Sequence, residues 1–128
     1  MAKVYVVQIP RSRAPNGSWR EWDISPAQIY GELTTPLIDR TGASLHTQHT
    51  VSALRKLLAD YSDEDSLLAI GDPAAIAVCA AIAADSNRGV IAILRWDRRT
   101  KSYIRFPYNI RGSSVPETAL RYRKEIDG

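Results

Sequence analysis

The stretch from Leu67 to Trp96 constrains the fold more than any other part of the chain. It runs LLAI, a Gly71-Asp72-Pro73 turn, the segment AAIAVCAAIAAD, a closing SNRG, and then VIAILRW. The two flanking runs are short and continuously apolar, as expected of strands covered on both faces. Between them, Asp72 before Pro73 is the order of a helix N-cap followed by the first helical residue. The helix it opens is apolar on nearly all sides, which predicts deep packing against a sheet, with alanine allowing close approach. Asn87 and Gly89 supply residues tolerant of the left-handed conformation that ends helices. Strand, helix and strand within about thirty residues form a βαβ unit, so strands 67–70 and 90–96 are expected to be parallel with a right-handed crossover.

The remaining segments attach to that unit. KVYVVQI (3–9) is β-branched, aromatic and alternating, a strand ended by Pro10. RSRAPNGSW carries an Asn16-Gly17 turn signal, after which WREWDI (19–24) is expected to return as an antiparallel edge strand. Ser25-Pro26 opens a helical turn that Gly31 keeps short. A segment with a loop at 39–43 follows. Val51, Leu54, Leu57 and Leu58 then recur at helical spacing, giving an amphipathic helix to Tyr61 with Arg55 and Lys56 outward. After the βαβ unit, DRRTK reverses the chain into SYIRFPYNI, an antiparallel partner ended by Pro107. The expected fold class is α/β: a small mixed sheet with one βαβ unit, two main helices and an antiparallel hairpin over 90–106. Residues 1–110 read as one domain and 111–128 as a linker with a short, poorly anchored helix or tail.

Composition narrows the function classes. A chain of 128 residues can bury a core without disulfides or structural metals. Its single cysteine, Cys79, sits in an alanine-rich run and reads as a buried, inert thiol suited to a reducing cytoplasm. The longest strongly apolar segment falls short of the roughly 20 residues of a membrane helix, and the N-terminal run lacks a signal-peptide pattern. Charge is unevenly placed: residues 1–87 hold seven Lys/Arg against ten Asp/Glu, and residues 88–128 ten against four. A basic C-terminal third points to a polyanionic partner, since clustered cations release counterions on meeting phosphates.

Four blocks carry a resemblance: YGEL (30–33), the acidic loop YSDED (61–65), IGDPAAI (70–76) and LRWDR (94–98). Together they resemble a family of small tailed-bacteriophage proteins without a settled activity, over about residues 3 to 110. The acidic loop departs from that pattern by opening with tyrosine where the family has phenylalanine. The resemblance implies a viral origin and expression in the cytoplasm of an infected bacterium; it carries over no site residue.

The strongest candidate surface is ILRWDRRTKSYIRF (93–106). Strand alternation puts Tyr103 and Arg105 on one face and Ile104 and Phe106 on the other. One hairpin face is thus expected to present Arg95, Tyr103 and Arg105 beside the tip cations Arg98, Arg99 and Lys101, with Trp96 and Phe106 packed inward. Cations with aromatic stacking are the chemistry of a single-strand or RNA groove, and the C-terminal Arg121, Arg123 and Lys124 would add to it. The plainer alternative makes the arginines solvated charges that guard a sheet edge.

Other constellations are weaker. Asp72 and Asp97 each follow a parallel strand, where ligands collect in α/β sheets, and with Asp23 or Asp65 would suit a Mg²⁺ ion for phosphoryl chemistry. Against this, Asp72 reads as an N-cap and Asp97 as a turn residue. His46 and His49 have helical spacing but no third ligand. The Gly71-Asp72-Pro73 turn lacks the other glycines of a phosphate loop, and Pro73 removes an amide donor. DYSDED (60–65) would engage a basic protein surface, or a second copy's hairpin to give an oligomer. The expected function is therefore non-enzymatic binding of nucleic acid, single-stranded and with weak sequence preference, without cofactor or membrane. A protein-binding modulator of a host or phage enzyme is the second reading and a Mg²⁺-dependent nucleic-acid enzyme the third.

Overall fold

The computed structural model describes residues 1–39, 48–112 and 114–120. In chain order its strands are β1 (Lys3–Val6), β2 (Arg11–Arg13), β3 (Trp19–Glu21), β4 (Glu32–Leu33), β5 (Ser66–Leu68), β6 (Val90–Asp97) and β7 (Ser102–Asn109). The helices are α1 (Gln48–Leu57), α2 (Pro73–Ser86) and α3 (Glu117–Leu120), with a 3₁₀ helix over Ser25–Tyr30. Five strands form one sheet in the order β4-β1-β5-β6-β7; β2 and β3 form a separate hairpin. The pairings of β1 with β4 and β5, and of β5 with β6, are parallel, while β6 and β7 are antiparallel. The α/β class, the parallel β5–β6 pair and the hairpin thus stand as read from the sequence.

Alternation along the central strands divides the core. Tyr5, Val7, Leu67 and Ile91 face α1 and α2, meeting Leu54, Leu58, Cys79 and Ile82. Val4, Val6, Leu68 and Leu94 face the other way, onto Ala27 and Tyr30 of the 3₁₀ helix and onto Tyr103. Both faces are covered, which is why these strands are continuously apolar in sequence. Asp72 caps α2 by accepting from the Ala75 amide at 3.2 Å, with Pro73 opening the helix. Burial pushes the Cys79 thiol up to about 11, so it stays protonated and unreactive.

Several expectations change. The strand at the N-terminus does not form a hairpin with residues 19–24; β1 is central and parallel, and the Asn16-Gly17 turn joins β2 to β3 instead. Pro10 separates β1 from that hairpin. Helix α2 buries only the stripe of Ala75, Cys79, Ile82, Ala83 and Ala84, and presents alanines 74, 77 and 81 to solvent, where a methyl group costs little. Leu57 lies exposed at the end of α1 while Leu54 and Leu58 are buried. Pro107 does not end its strand: β7 is the sheet edge, so the missing N–H removes no partner and pairing continues to Asn109.

The largest correction concerns Arg105. Placed by sequence on an outer face, it is fully buried, at 0 % exposure. The guanidinium donates from Nε to Ser66 Oγ at 2.8 Å, from Nη2 to the Asp63 and Asp65 carbonyls at 2.9 and 3.0 Å, and from Nη1 to the Ala119 carbonyl. It thereby ties the acidic loop, β5 and α3 to the edge strand. Burial pulls its pKa below the ordinary arginine value, while the Tyr61, Tyr30, Asp65 and Asp63 side chains favour the charged form. The acidic run is part of the same construction. The Asp65 carboxylate, buried, accepts from the Lys3 amide at 2.8 Å and from the Ser62 amide at 2.9 Å. Asp63 accepts from Asn87 and from the Thr118 hydroxyl, and pairs with Arg88 at 3.6 Å.

Two stability predictions follow from this geometry. Arg105→Ala takes a donor from three carbonyls and a hydroxyl, of which the Asp65 carbonyl has a second one in the Tyr61 hydroxyl at 3.2 Å, and should lower unfolding free energy by about 3–5 kcal/mol in urea titration; a loss under about 1 kcal/mol would show that the clamp is dispensable. Partial burial raises the pKa of Asp63, but hydrogen bonds from Thr118 and Asn87 and the charges of Arg88 and Arg105 outweigh it and hold the group below the usual carboxylate range. A depressed carboxylate stabilises the fold above its unfolded pKa and loses that contribution as pH falls through the folded value. The stability gap between wild type and Asp63→Asn should therefore be widest near neutrality and shrink on acidification below about pH 4; a gap independent of pH would contradict it.

Candidate nucleic-acid interface

The β6–β7 turn sets which side chains share a face. Asp97 pairs with Ser102, leaving a four-residue loop, and the register then places Trp96 opposite Tyr103, Arg95 opposite Ile104 and Leu94 opposite Arg105. Arg95 is consequently on the opposite face from Tyr103 and Arg105. The grouping expected from sequence requires a register shifted by one residue, which flips a whole strand. Tyr103 is buried, its carbonyl accepting from the Tyr30 hydroxyl at 2.8 Å, and Trp96 packs edge-on against its ring at 5.0 Å. Trp96, expected in the core, is 43 % exposed. Phe106 is half-buried opposite Ile93.

Arg95 and the tip residues Arg98, Arg99 and Lys101 remain exposed. The tip is held from below by Asp97, which accepts from the Arg99 amide at 3.1 Å and the Thr100 hydroxyl at 2.8 Å. The Thr100 and Arg99 bonds keep its carboxyl below the usual range. Lys101 adopts φ 53°, a left-handed conformation that glycine would take about 1 kcal/mol more cheaply. Arg121, Arg123, Lys124 and His46 lie outside the described residues, as does the side chain of His49.

Beside this hairpin lies a feature that sequence reasoning missed. The chain's three tryptophans are all half-exposed, Trp19 at 54 %, Trp22 at 53 % and Trp96 at 43 %. They line two adjoining grooves near the carboxyl ends of β1, β5 and β6. One groove, about 490 Å³, is walled by Trp19, Trp22, Ile9, Ile70, Arg11 and Asp72. The other, about 410 Å³, is walled by Trp22, Trp96, Tyr103, Leu94, Ile70 and Asp23. Trp22 and Ile70 belong to both. The walls are fixed from behind: Gln8 Oε1 accepts from the Asp72 amide at 2.7 Å, its Nε2 donates to the Asp39 carbonyl, and the Trp22 amide donates to the Pro10 carbonyl at 3.1 Å. Gly71, at φ 113°, passes so close to Gln8 that a Cβ would stand 2.6 Å from that side chain. The guanidinium carbons of Arg11 and Arg13 lie 4.9 and 5.0 Å from the Trp19 ring centre. In sequence, the available signal was an indole at 19 and another at 22 in a polar, turn-rich segment, an unusual place for a large ring to find cover.

The carboxylates once grouped as a metal set have separate duties. Asp72 caps α2, Asp97 braces the hairpin tip, Asp65 anchors Lys3 and Ser62, and Asp23 accepts from the Ser25 amide at 3.0 Å. Among the described residues no cluster of three or more His, Cys, Asp or Glu side chains is placed to hold a metal ion. No helix of the described residues is long and apolar enough to cross a membrane.

A family model for phage Pam3 gp32-like proteins matches residues 2–110. The chain belongs to that family. It is thus a phage protein, and the match spans the five-stranded sheet, both long helices and the hairpin. Neither a curated protein nor a solved structure matches the chain.

Exposure of the indoles is directly measurable. Acrylamide should quench most of the native protein's tryptophan emission, which should lie toward the red; blue, poorly quenched emission would place the rings in the core.

Proposed function

We propose that this phage protein binds single-stranded nucleic acid, with weak sequence preference, in the cytoplasm of the infected bacterium during replication or host takeover. The observation that supports this reading most is the hairpin tip, where Arg98, Arg99 and Lys101 stand exposed, with the half-exposed Trp96 below them on one strand face and the exposed Arg95 on the other. Guanidinium and ammonium groups so gathered meet phosphates by charge-assisted hydrogen bonds and release counterions. The left-handed Lys101 fits the same reading, because a strained backbone position carrying a cation instead of glycine trades stability for charge at the tip. Arg121, Arg123 and Lys124, outside the described residues, add three cations to the same basic C-terminal third of the sequence. Tyr103 and Arg105 have no part in it, being buried.

The test is a fluorescence-anisotropy titration of a single-stranded oligonucleotide across salt. Affinity should fall steeply as salt rises, and Arg98→Glu with Arg99→Glu should reduce the log–log slope by about 1.4, at roughly 0.7 per lost phosphate contact. No binding at about 50 mM salt would overturn the proposal, and binding unaffected by the double substitution would remove the hairpin from it.

A further inference from the structure

What lies beside the hairpin tip extends the reading above and rests on it. The two grooves are lined by indole rings together with Ile9, Ile70 and Leu94. Leaving three large aromatic faces half in water forgoes burial that the fold would otherwise use. Half-exposed indoles of this kind suit stacking with planar rings. One cation, Arg11, lines the trough itself and a second, Arg13, lies over the same Trp19 ring, while Arg98 and Arg99 follow the groove residue Trp96 by two and three positions in the chain. The two wall carboxylates, Asp23 and Asp72, are each already engaged by a backbone amide. An apolar or proline-rich peptide would use the indoles and leave the cations idle, whereas a polyanion with planar bases uses both.

We infer that the trough is a base-stacking cleft for a single nucleic-acid strand, with bases entering on either side of Trp22 and phosphates running along Arg11, Arg13 and the hairpin tip. Trp22 is the principal platform because it is the wall the grooves share. Trp96 supplies the second platform, fixed edge-on by Tyr103. Trp19, flanked by two guanidiniums, forms a cationic lip. Stacking of this sort accepts any base, in keeping with weak sequence preference.

The experiment uses the full chain and an oligothymidine of about ten nucleotides, followed by anisotropy and by intrinsic tryptophan emission. Saturation should quench much of the emission. Trp22→Ala should weaken binding by about 5- to 100-fold with an unchanged salt slope, because a stacked base is lost and no phosphate contact is. Trp22→Phe should keep most of the affinity. Wild-type affinity in Trp22→Ala, together with a reduced slope in Arg98→Glu/Arg99→Glu, would overturn the cleft and leave the hairpin reading standing. Failure of the wild-type protein to bind at low salt would overturn both. Should Trp22→Ala not fold, wild-type emission decides: saturation without quenching rejects the cleft. Tighter binding of a decaproline peptide than of the oligonucleotide would also reject it.

Discussion

A buried guanidinium organises this molecule. Arg105 sits on an edge strand yet reaches across β6 to Ser66, to two carbonyls of the acidic loop and to the carbonyl of Ala119. Those carbonyls belong to chain segments outside the sheet ladder, where backbone oxygens have no strand partner and burial without a donor is costly; the Tyr61 hydroxyl supplies a second donor to Asp65 alone among them. One forked, five-donor side chain satisfies several at once. The cost is a charge removed from water, which Asp63 and Asp65 offset from nearby. The acidic stretch that looks in sequence like a solvated surface is in large part the counterpart of this arginine.

That internal clamp explains the division of labour along the hairpin. Its four-residue loop sets a register in which Arg105, Tyr103, Trp96 and Leu94 share one face. Toward the loop and α3, that face is closed by the clamp. Toward the strand ends, Tyr30 holds the Tyr103 backbone and Tyr103 props Trp96 at the surface, beside Trp22. The exposed indoles then collect at the carboxyl ends of the parallel strands, the end where open α/β sheets generally hold their ligands. The cations that remain outside are those of the turn and of Arg95. Three surface arginines, Arg95, Arg98 and Arg99, and one structural arginine, Arg105, thus stand within eleven residues of chain.

Much of the scaffold was legible because its signals are local or periodic. The βαβ unit, the Asp72 cap with Pro73, the amphipathic α1 and the hairpin's existence all follow from patterns within a few residues. The site was legible only at its tip. Tyr103 and Arg105 share a face with Trp96 and not with Arg95 because faces depend on loop length, and DRRTK does not declare whether four residues or five form the turn. Arg105 misled because an arginine in alternation with aromatics has the same sequence signature whether it faces solvent or a set of buried backbone carbonyls some 40 residues away. The trough is assembled from the β2–β3 hairpin, the end of β5 and the end of β6, none adjacent in sequence. Only the tertiary fold brings Trp19, Trp22 and Trp96 to one trough.

The most direct test of this account is a proton–nitrogen NMR titration that resolves arginine Nε–H and indole N–H signals as single-stranded oligonucleotide is added. The Arg105 signal, bonded to Ser66, should exchange slowly with solvent and stay in place, while Arg98, Arg99 and the indoles of Trp22 and Trp96 shift together. A rapidly exchanging Arg105 signal that moves with ligand, with tip and indole signals unmoved, would contradict it.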